Sequence, residues 1–208
     1  MTKARCLVPA QQHQSGRCSY YSIIAALEAN LRIKYGFGDD LSIKYLRSKD
    51  DKVKAENILN KKIGRNVRIL DIVKATGVPT DRAYKLFCQR SVQCAMHKIQ
   101  GYTKYDVKKP LQIRTALERH LRKGPMIAVF FVSTNYNNCM KFGSIYVVDV
   151  NQAMLDKDEI AICHSVCVVS FGIEGRVPFL QFRTENLHWP TYGRVDIQSV
   201  IELYGIDV

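Results

Sequence analysis

The sequence predicts an α+β protein in which a helical half precedes a half rich in antiparallel strands. Apolar residues recur at helical spacing early in the chain, and after Gly124-Pro125 the pattern changes to β-branched and aromatic runs separated by short loops. Helices first and strands second are typical of this fold class. The 208 residues suit a single domain, with a helical half at about 11–111 and a β-rich half at about 112–208.

The first half contains the clearest helix signal, an apolar repeat that begins at Cys18 and continues to about Tyr35. Gly36 follows as a stop signal. The other predictions before the strands are a short helix over 41–46, a solvated loop over 48–65, a helix over 66–76, an irregular stretch over 82–111 and a helix over 112–123.

The second half contains runs of β-branched and aromatic residues that are short enough to be strands. Glycine, asparagine or proline stands in the loops between them. The predicted strands cover 126–132, 144–149, 165–171, 178–184 and 193–197.

The net charge and the lengths of the apolar runs indicate which classes of partner and which compartments fit this chain. The 31 Lys and Arg residues outnumber the 19 Asp and Glu residues, and a net charge of +12 favours acidic partners such as nucleic acid or an acidic protein. No nucleic-acid-binding motif accompanies that charge, so solubility is the simpler explanation. No apolar run approaches the roughly 18 residues of a membrane span. The N-terminus lacks the apolar core of a secretory signal.

These features predict a cytoplasmic or nuclear chain, or the mature fragment of a longer precursor. Seven cysteines are an odd number, and without a signal peptide they are expected to be mainly reduced thiols.

Cys18 stands where a polar turn enters the first helix. The N–H groups of a first helical turn and the positive end of the helix dipole both favour a thiolate over a thiol. Such a cysteine is therefore a candidate nucleophile. The structural alternative is a small buried apolar residue.

A thiol nucleophile needs a base, and the chain offers five histidines. His164 differs from the others because it opens a strongly apolar strand, from which its ring can project into a cleft. Asn186 follows the next strand, and its side-chain oxygen can accept the second ring N–H of a histidine. The alternatives are that His164 is a structural histidine and that Asn186 is a surface asparagine.

The order of these residues resembles that of the papain-like cysteine proteases along almost the whole chain. Gln12, Gly16 and Cys18 match the glutamine and the Gly-x-Cys that precede the first helix of that family. His164 follows Cys18 by 146 residues (164 − 18), within the family's interval of about 130–150. The run from His164 to Gly172 is similar to the family's histidine strand.

The resemblance implies a helical left half and an antiparallel, β-barrel-like right half with a cleft between them. Cys18 is then the nucleophile and His164 the base, while the Gln12 amide and the Cys18 N–H face the oxyanion. Asn186 orients His164. The family carries out this chemistry on a polypeptide substrate without a cofactor.

Several positions depart from the family pattern. Ser19 replaces the tryptophan that follows the nucleophile, and Asn66-Val67 replaces the Gly-Gly of the cleft wall, where side chains narrow the subsites. Trp189 is the candidate shield of the Asn–His bond, but its spacing is one residue off. If Trp189 is nevertheless the equivalent residue, the orienting position falls on Leu187 instead of Asn186.

The sequence thus predicts a cysteine endopeptidase that uses Cys18 and His164. The rival hypothesis is a protease-like scaffold that has lost activity and binds an acidic protein or nucleic acid. Cys163-His164-x-x-Cys167 does not predict zinc, because alternation along a strand turns His164 away from both cysteines and no fourth ligand is evident. No metal, cofactor or membrane partner is predicted.

Overall fold

A computed structural model describes residues 17–56, 64–90, 93–184 and 190–208. Four helices precede the first described strand: α1 (Cys18–Tyr35), α2 (Ile43–Glu56), α3 (Arg65–Ala75) and α4 (Asp81–Arg90). Gly36 ends α1 as predicted. It has a left-handed φ of 69°, which glycine adopts without strain, and its N–H donates to the Arg32 carbonyl at 3.0 Å.

Two predictions for the first half are wrong. A solvated loop was predicted over 48–65, but α2 continues through much of that range, and the irregular stretch predicted over 82–111 contains most of α4 and strand β1 (Gly101–Tyr105). The charges of α2 conceal a helical pattern in which Leu46 and Val53, seven residues apart, pack on the core. In a sequence as polar as that of α2, the spacing of the few apolar residues is the signal that indicates a helix.

The second half alternates short helices with strands. After α5 (Pro110–Ala116), a π-helical turn covers Leu117–Leu121. The remaining elements are β2 (Met126–Phe131), α6 (Tyr136–Phe142), β3 (Ile145–Tyr146), β4 (Cys163–Glu174), β5 (Val177–Arg183), β6 (Tyr192–Asp196) and β7 (Val200–Asp207).

The strands form one sheet of seven in the order β1-β7-β2-β4-β5-β6-β3, which is not closed into a barrel. Every neighbouring pair is antiparallel except β3 with β6. The strand predicted over 144–149 is only two residues long in β3. Sequence patterns missed β1 and β7, which pair with each other across about a hundred residues of chain.

The central strands are buried on both faces, so two apolar cores share them. Side chains alternate along β2. Ile127 and Val129 pack with the helices, while Met126 and Phe130 pack in a second core on the opposite face of the sheet. The fold is therefore α+β, with α1, α2 and α3 on one face of a mostly antiparallel sheet and the short helices α5 and α6 on the other.

Helix α1 is the element that joins the two halves. The sequence predicted an amphipathic helix, but most of the first fourteen residues of α1 are buried, including the polar Ser22, Glu28 and Asn30. Burial on nearly all sides follows from its place between the other helices and strand β4. No helix of the described chain is long and apolar enough to cross a membrane.

Candidate active site

Cys18 is the first residue of α1, as the sequence predicted. Arg17 precedes it in the N-cap position, and the carbonyl of Arg17 accepts the Tyr20 N–H at 3.0 Å. The Cys18 side chain is largely enclosed, with the residue only 8% exposed. Its Sγ lies 3.9 Å from the carbonyl oxygen of Cys163 and points toward it as a donor. The thiol at the start of α1 thus meets the beginning of β4.

His164 is the second residue of β4 and directly follows the residue that Cys18 contacts. Its half-buried ring packs against two aromatic rings, Phe130 and Tyr136, each with a centroid distance of 5.6 Å. Phe130 lies directly across from His164 in the β2–β4 pairing. These two rings restrict the orientations open to the imidazole.

Phe130 and Tyr136 are neighbours of the candidate site that sequence reasoning missed. The apolar pattern of 126–132 predicted a strand, but nothing in it indicated which residue lies opposite His164. Tyr136 is held in turn by Tyr146, whose ring is 5.1 Å away in an edge-to-face arrangement. The Tyr146 hydroxyl bonds to the Phe131 carbonyl at 2.9 Å and accepts the Ser133 N–H at 2.8 Å.

A small polar cluster lies next to this junction and connects three elements. The hydroxyl oxygens of Ser22 on α1 and Ser165 on β4 are 2.7 Å apart, and the Asn66 amide on α3 donates to Ser165 at 3.4 Å. All three residues are buried. The bonds fix the position of α1 along β4, and therefore the position of Cys18 relative to His164.

Asn66 and Val67 were predicted to line the substrate cleft. Asn66 faces inward, is only 4% exposed and serves the cluster with Ser165. Val67 is half-buried and packs on the helical core. Any contribution of these side chains to subsites stays a prediction.

A second polar network anchors the start of α1 from the helical side. The Asp50 carboxylate is fully buried and accepts bonds from the Tyr20 hydroxyl at 2.5 Å and the Arg68 guanidinium at 2.6 Å, with the Lys54 ammonium 2.7 Å away. Burial alone raises the pKa of Asp50, but bonds from Arg68, Lys54 and Tyr20 outweigh it and lower the pKa to about 2. Asp50 is therefore ionised at neutral pH and holds Tyr20, two residues from Cys18.

Four predicted site residues lie outside the described residues: Gln12, Gly16, Asn186 and Trp189. Their assignments as oxyanion donor, turn, orienting residue and shield remain predictions. Ser19, which departs from the family's tryptophan, is buried.

Metal binding has no support in the described residues. Within those ranges no group of three His, Cys, Asp or Glu side chains is placed to hold a metal ion. The described cysteines, Cys18, Cys94, Cys139, Cys163 and Cys167, form no disulfide with one another. The candidate reactive groups among the described residues are the Cys18 thiol and the His164 imidazole.

Comparison with solved structures establishes the fold. Bromelain from Ananas comosus superimposes with a TM-score of 0.67 and 14% identity, covering 99% of this chain and 95% of that one. A cysteine protease from Carica candamarcensis gives 0.66 and 16%, with coverages of 99% and 95%. This chain has a papain-like fold. A structure from work on the mite allergens Blo t 1 and Der p 1 gives 0.67 and 17%, covering 97% and 67%.

In this papain-like fold α1 and β4 meet where Cys18 Sγ contacts the Cys163 carbonyl. No family model matches the sequence, and no curated protein does. Solved structures that are 14–17% identical to this chain show its fold alone, and function depends on the residues of the site.

Proposed function

We propose that the protein is a cysteine peptidase that hydrolyses peptide bonds through a Cys18 thiolate. The observation that carries the proposal is the contact of Cys18 Sγ with the carbonyl of Cys163 at 3.9 Å, directly before His164. The residue whose carbonyl the thiol contacts is the neighbour of His164 in the chain, and this adjacency supports the pairing of thiol and imidazole. A papain-like fold supports the same pairing.

In the proposed reaction His164 accepts the Cys18 proton, and the sulfur attacks the carbonyl carbon of the substrate peptide bond. The carbonyl oxygen becomes an oxyanion that the Cys18 N–H and the Gln12 amide stabilise, each such donor being worth about 3–4 kcal/mol. The imidazolium then protonates the leaving amine, and a thioester to Cys18 remains. Water activated by His164 hydrolyses that thioester and releases the acid.

Two features of the described site support these roles. The rings of Phe130 and Tyr136 hold His164 in place, which an imidazole that moves protons between fixed partners requires. Buried bonds at Ser22 and Tyr20 fix α1 on both sides of its first two turns. A nucleophile on such an anchored helix is positioned before substrate arrives.

The decisive test is hydrolysis of a broad peptide library by the purified chain, together with labelling by a thiol-directed peptidyl epoxide. We expect hydrolysis and rapid labelling of the native protein, and loss of both in Cys18→Ala. Cys94→Ala is the matched control because Cys94 is a half-exposed thiol distant in sequence from both candidates, and it should behave as the native chain does.

Labelling of Cys18 no faster than of the other thiols, with no hydrolysis of any peptide, would exclude the peptidase. That result would favour the rival hypothesis of a binding scaffold. Binding of an acidic partner by the rival depends on the +12 charge, so it would weaken with added salt and survive Cys18→Ala.

A further inference from the structure

A second thiol lies beside the candidate nucleophile. The Cys163 carbonyl oxygen that Cys18 Sγ contacts at 3.9 Å belongs to a residue with a sulfur of its own. Standard bond lengths place that oxygen about 2.4 Å from its own Cα, so Cys18 Sγ lies within about 6 Å of the Cys163 Cα. The Cys163 side chain, which has one rotatable χ1 and ends in its sulfur, reaches across part of that separation.

The alternation of β4 shows which way the Cys163 side chain faces. Ser165 bonds to Ser22 on α1, and Cys167 packs in the core shared with the helices, so odd-numbered residues at the start of β4 face α1. His164, the residue between Cys163 and Ser165, packs its ring against Phe130. Cys163 is therefore on the same face of the strand as Ser165, the face that α1 covers.

Along that face, Cys18 and Cys163 form the next pair after Ser22 and Ser165. Four residues separate Cys18 from Ser22, which is about 6 Å along a helix, and two residues separate Cys163 from Ser165, which is about 7 Å along a strand. The two steps nearly match. Since the serine oxygens are 2.7 Å apart, the pair one step earlier is also placed for close approach.

The two thiols differ in environment. Cys18 is enclosed at the start of α1, whereas Cys163 is an exposed residue at the start of β4. Neighbouring protein atoms still shield its sulfur from part of the solvent, and this desolvation, with Glu202 and Cys18 nearby, raises the pKa of Cys163, so the thiol is protonated at neutral pH. Cys163 is therefore poorly suited to react first with an oxidant and better suited to react second, with an oxidised neighbour.

We propose that Cys18 and Cys163 form a reversible disulfide that switches off the site when hydrogen peroxide is present. The proposal rests on the proposed function, because it takes Cys18 as the reactive thiolate. That thiolate attacks one peroxide oxygen, the O–O bond breaks, hydroxide leaves and Cys18 becomes a sulfenic acid. The Cys163 sulfur then attacks the Cys18 sulfur, the S–O bond breaks, and the departing hydroxide takes the Cys163 proton to form water.

The disulfide removes the nucleophile and protects it from further oxidation. A sulfenic acid without a second thiol nearby reacts with a second molecule of hydrogen peroxide, which loses water, and becomes a sulfinic acid that ordinary thiols do not reduce. A dithiol reductant regenerates both cysteines by exchange. Oxidation of the native chain should therefore be reversible, and oxidation of a chain without the Cys163 thiol should not.

The test is peptide mapping by mass spectrometry after brief treatment of the full chain with excess hydrogen peroxide and alkylation of the remaining thiols. We expect a linked pair of peptides containing Cys18 and Cys163, lighter by two hydrogen atoms, together with at least about a tenfold loss of peptide hydrolysis. Dithiothreitol should restore that hydrolysis. Cys94→Ser should form the same link.

Cys163→Ser should give no linked peptide and should accumulate sulfinic acid at Cys18, with activity that dithiothreitol does not recover. Linkage of Cys18 to a different cysteine, or equal reversibility in the native chain and Cys163→Ser, would overturn the proposal. The mapping does not depend on activity. A linked peptide in a chain without hydrolysis refutes only the peptidase, and an active chain without the link refutes only the switch.

Discussion

Ser22 on α1 and Ser165 on β4 share a buried hydrogen bond of 2.7 Å, one helical turn beyond Cys18 and one residue beyond His164. Asn66 adds a bond to Ser165 from α3, so three elements meet at this point. The spacing of thiol and imidazole depends on how α1 lies along β4. A pair of serines, with no chemistry of their own in the proposed reaction, thus sets the geometry of the candidate site.

Ser165→Ala is expected to lower both stability and turnover. The substitution leaves the buried Asn66 amide without Ser165 and leaves the Ser22 hydroxyl with its bond to the Ser19 carbonyl at 3.2 Å, which costs about 1–3 kcal/mol of unfolding free energy. Urea denaturation measures that loss, and kcat on a peptide substrate should fall as well. Ser170→Ala on the same strand is the control, with a change within about 0.5 kcal/mol. Equal stability of the two variants would contradict the assignment.

His164→Ala is expected to lower kcat about 10²–10⁴-fold, because the proposed base is lost while the fold remains. The measurement is peptide hydrolysis across pH, in which the native protein should lose activity as an essential imidazole protonates. His97→Ala is the control, since His97 packs on Phe37 at 4.5 Å outside the junction of α1 and β4. Native-like turnover in His164→Ala would remove the base from the proposal.

Asp50→Asn is expected to cost about 3–5 kcal/mol of stability, because Arg68 and Lys54 then lose the buried carboxylate that pairs with them. Asp51→Asn is a matched control one residue away. Asp51 is exposed, and among the described residues its ion pair is with Lys54 at 3.2 Å, so its loss should cost less than about 1 kcal/mol. Chemical denaturation at neutral pH compares the variants, and similar losses would show that the Asp50 network contributes little.

The same network predicts a stability loss in acid. The folded pKa of Asp50, about 2, lies below its unfolded value. The carboxylate's contribution is therefore fully present above the unfolded pKa and is lost as pH falls through that value toward 2. Asp50→Asn should be less stable than the native chain at neutral pH, and the difference should shrink in acid. A difference that stays constant with pH would contradict this charge-based explanation.

Glu28 predicts the opposite pH dependence. Burial raises its pKa to about 7, although the Leu41 N–H donates to the carboxylate at 2.6 Å. A raised folded pKa means that the contribution is present below the unfolded pKa and is lost as pH rises through about 7. Between pH 5 and pH 8 the native chain should lose about 2–3 kcal/mol through this group.

Glu28→Gln should remove most of that slope, as measured by urea denaturation at several pH values. Glu118→Gln is the control, because the Glu118 side chain is 64% exposed and its pairing with Arg114 lies on the surface. It should keep the native slope. A native slope in Glu28→Gln would show that another group titrates in this range.

Much of the fold was accessible from local patterns. The helical repeat from Cys18, the stop at Gly36 and the strands that became β2, β4, β5 and β6 are periodic enough to be recognised without a structure. Elements without a strong local pattern were missed. Strand β1 acquires its conformation by pairing with β7, and a partner so far along the chain leaves no signal in either segment.

The sequence by itself determined the candidate nucleophile and base, since a cysteine at a helix start and a histidine at a strand start are local features with recognisable chemistry. Tertiary structure decided what surrounds them: Phe130 and Tyr136 on His164, Ser165 against Ser22, and Cys163 beside Cys18. The physical reason is register. The helical and strand periods depend on residues that are close in sequence. The position of α1 along β4 depends instead on packing and buried hydrogen bonds between segments that are distant in sequence.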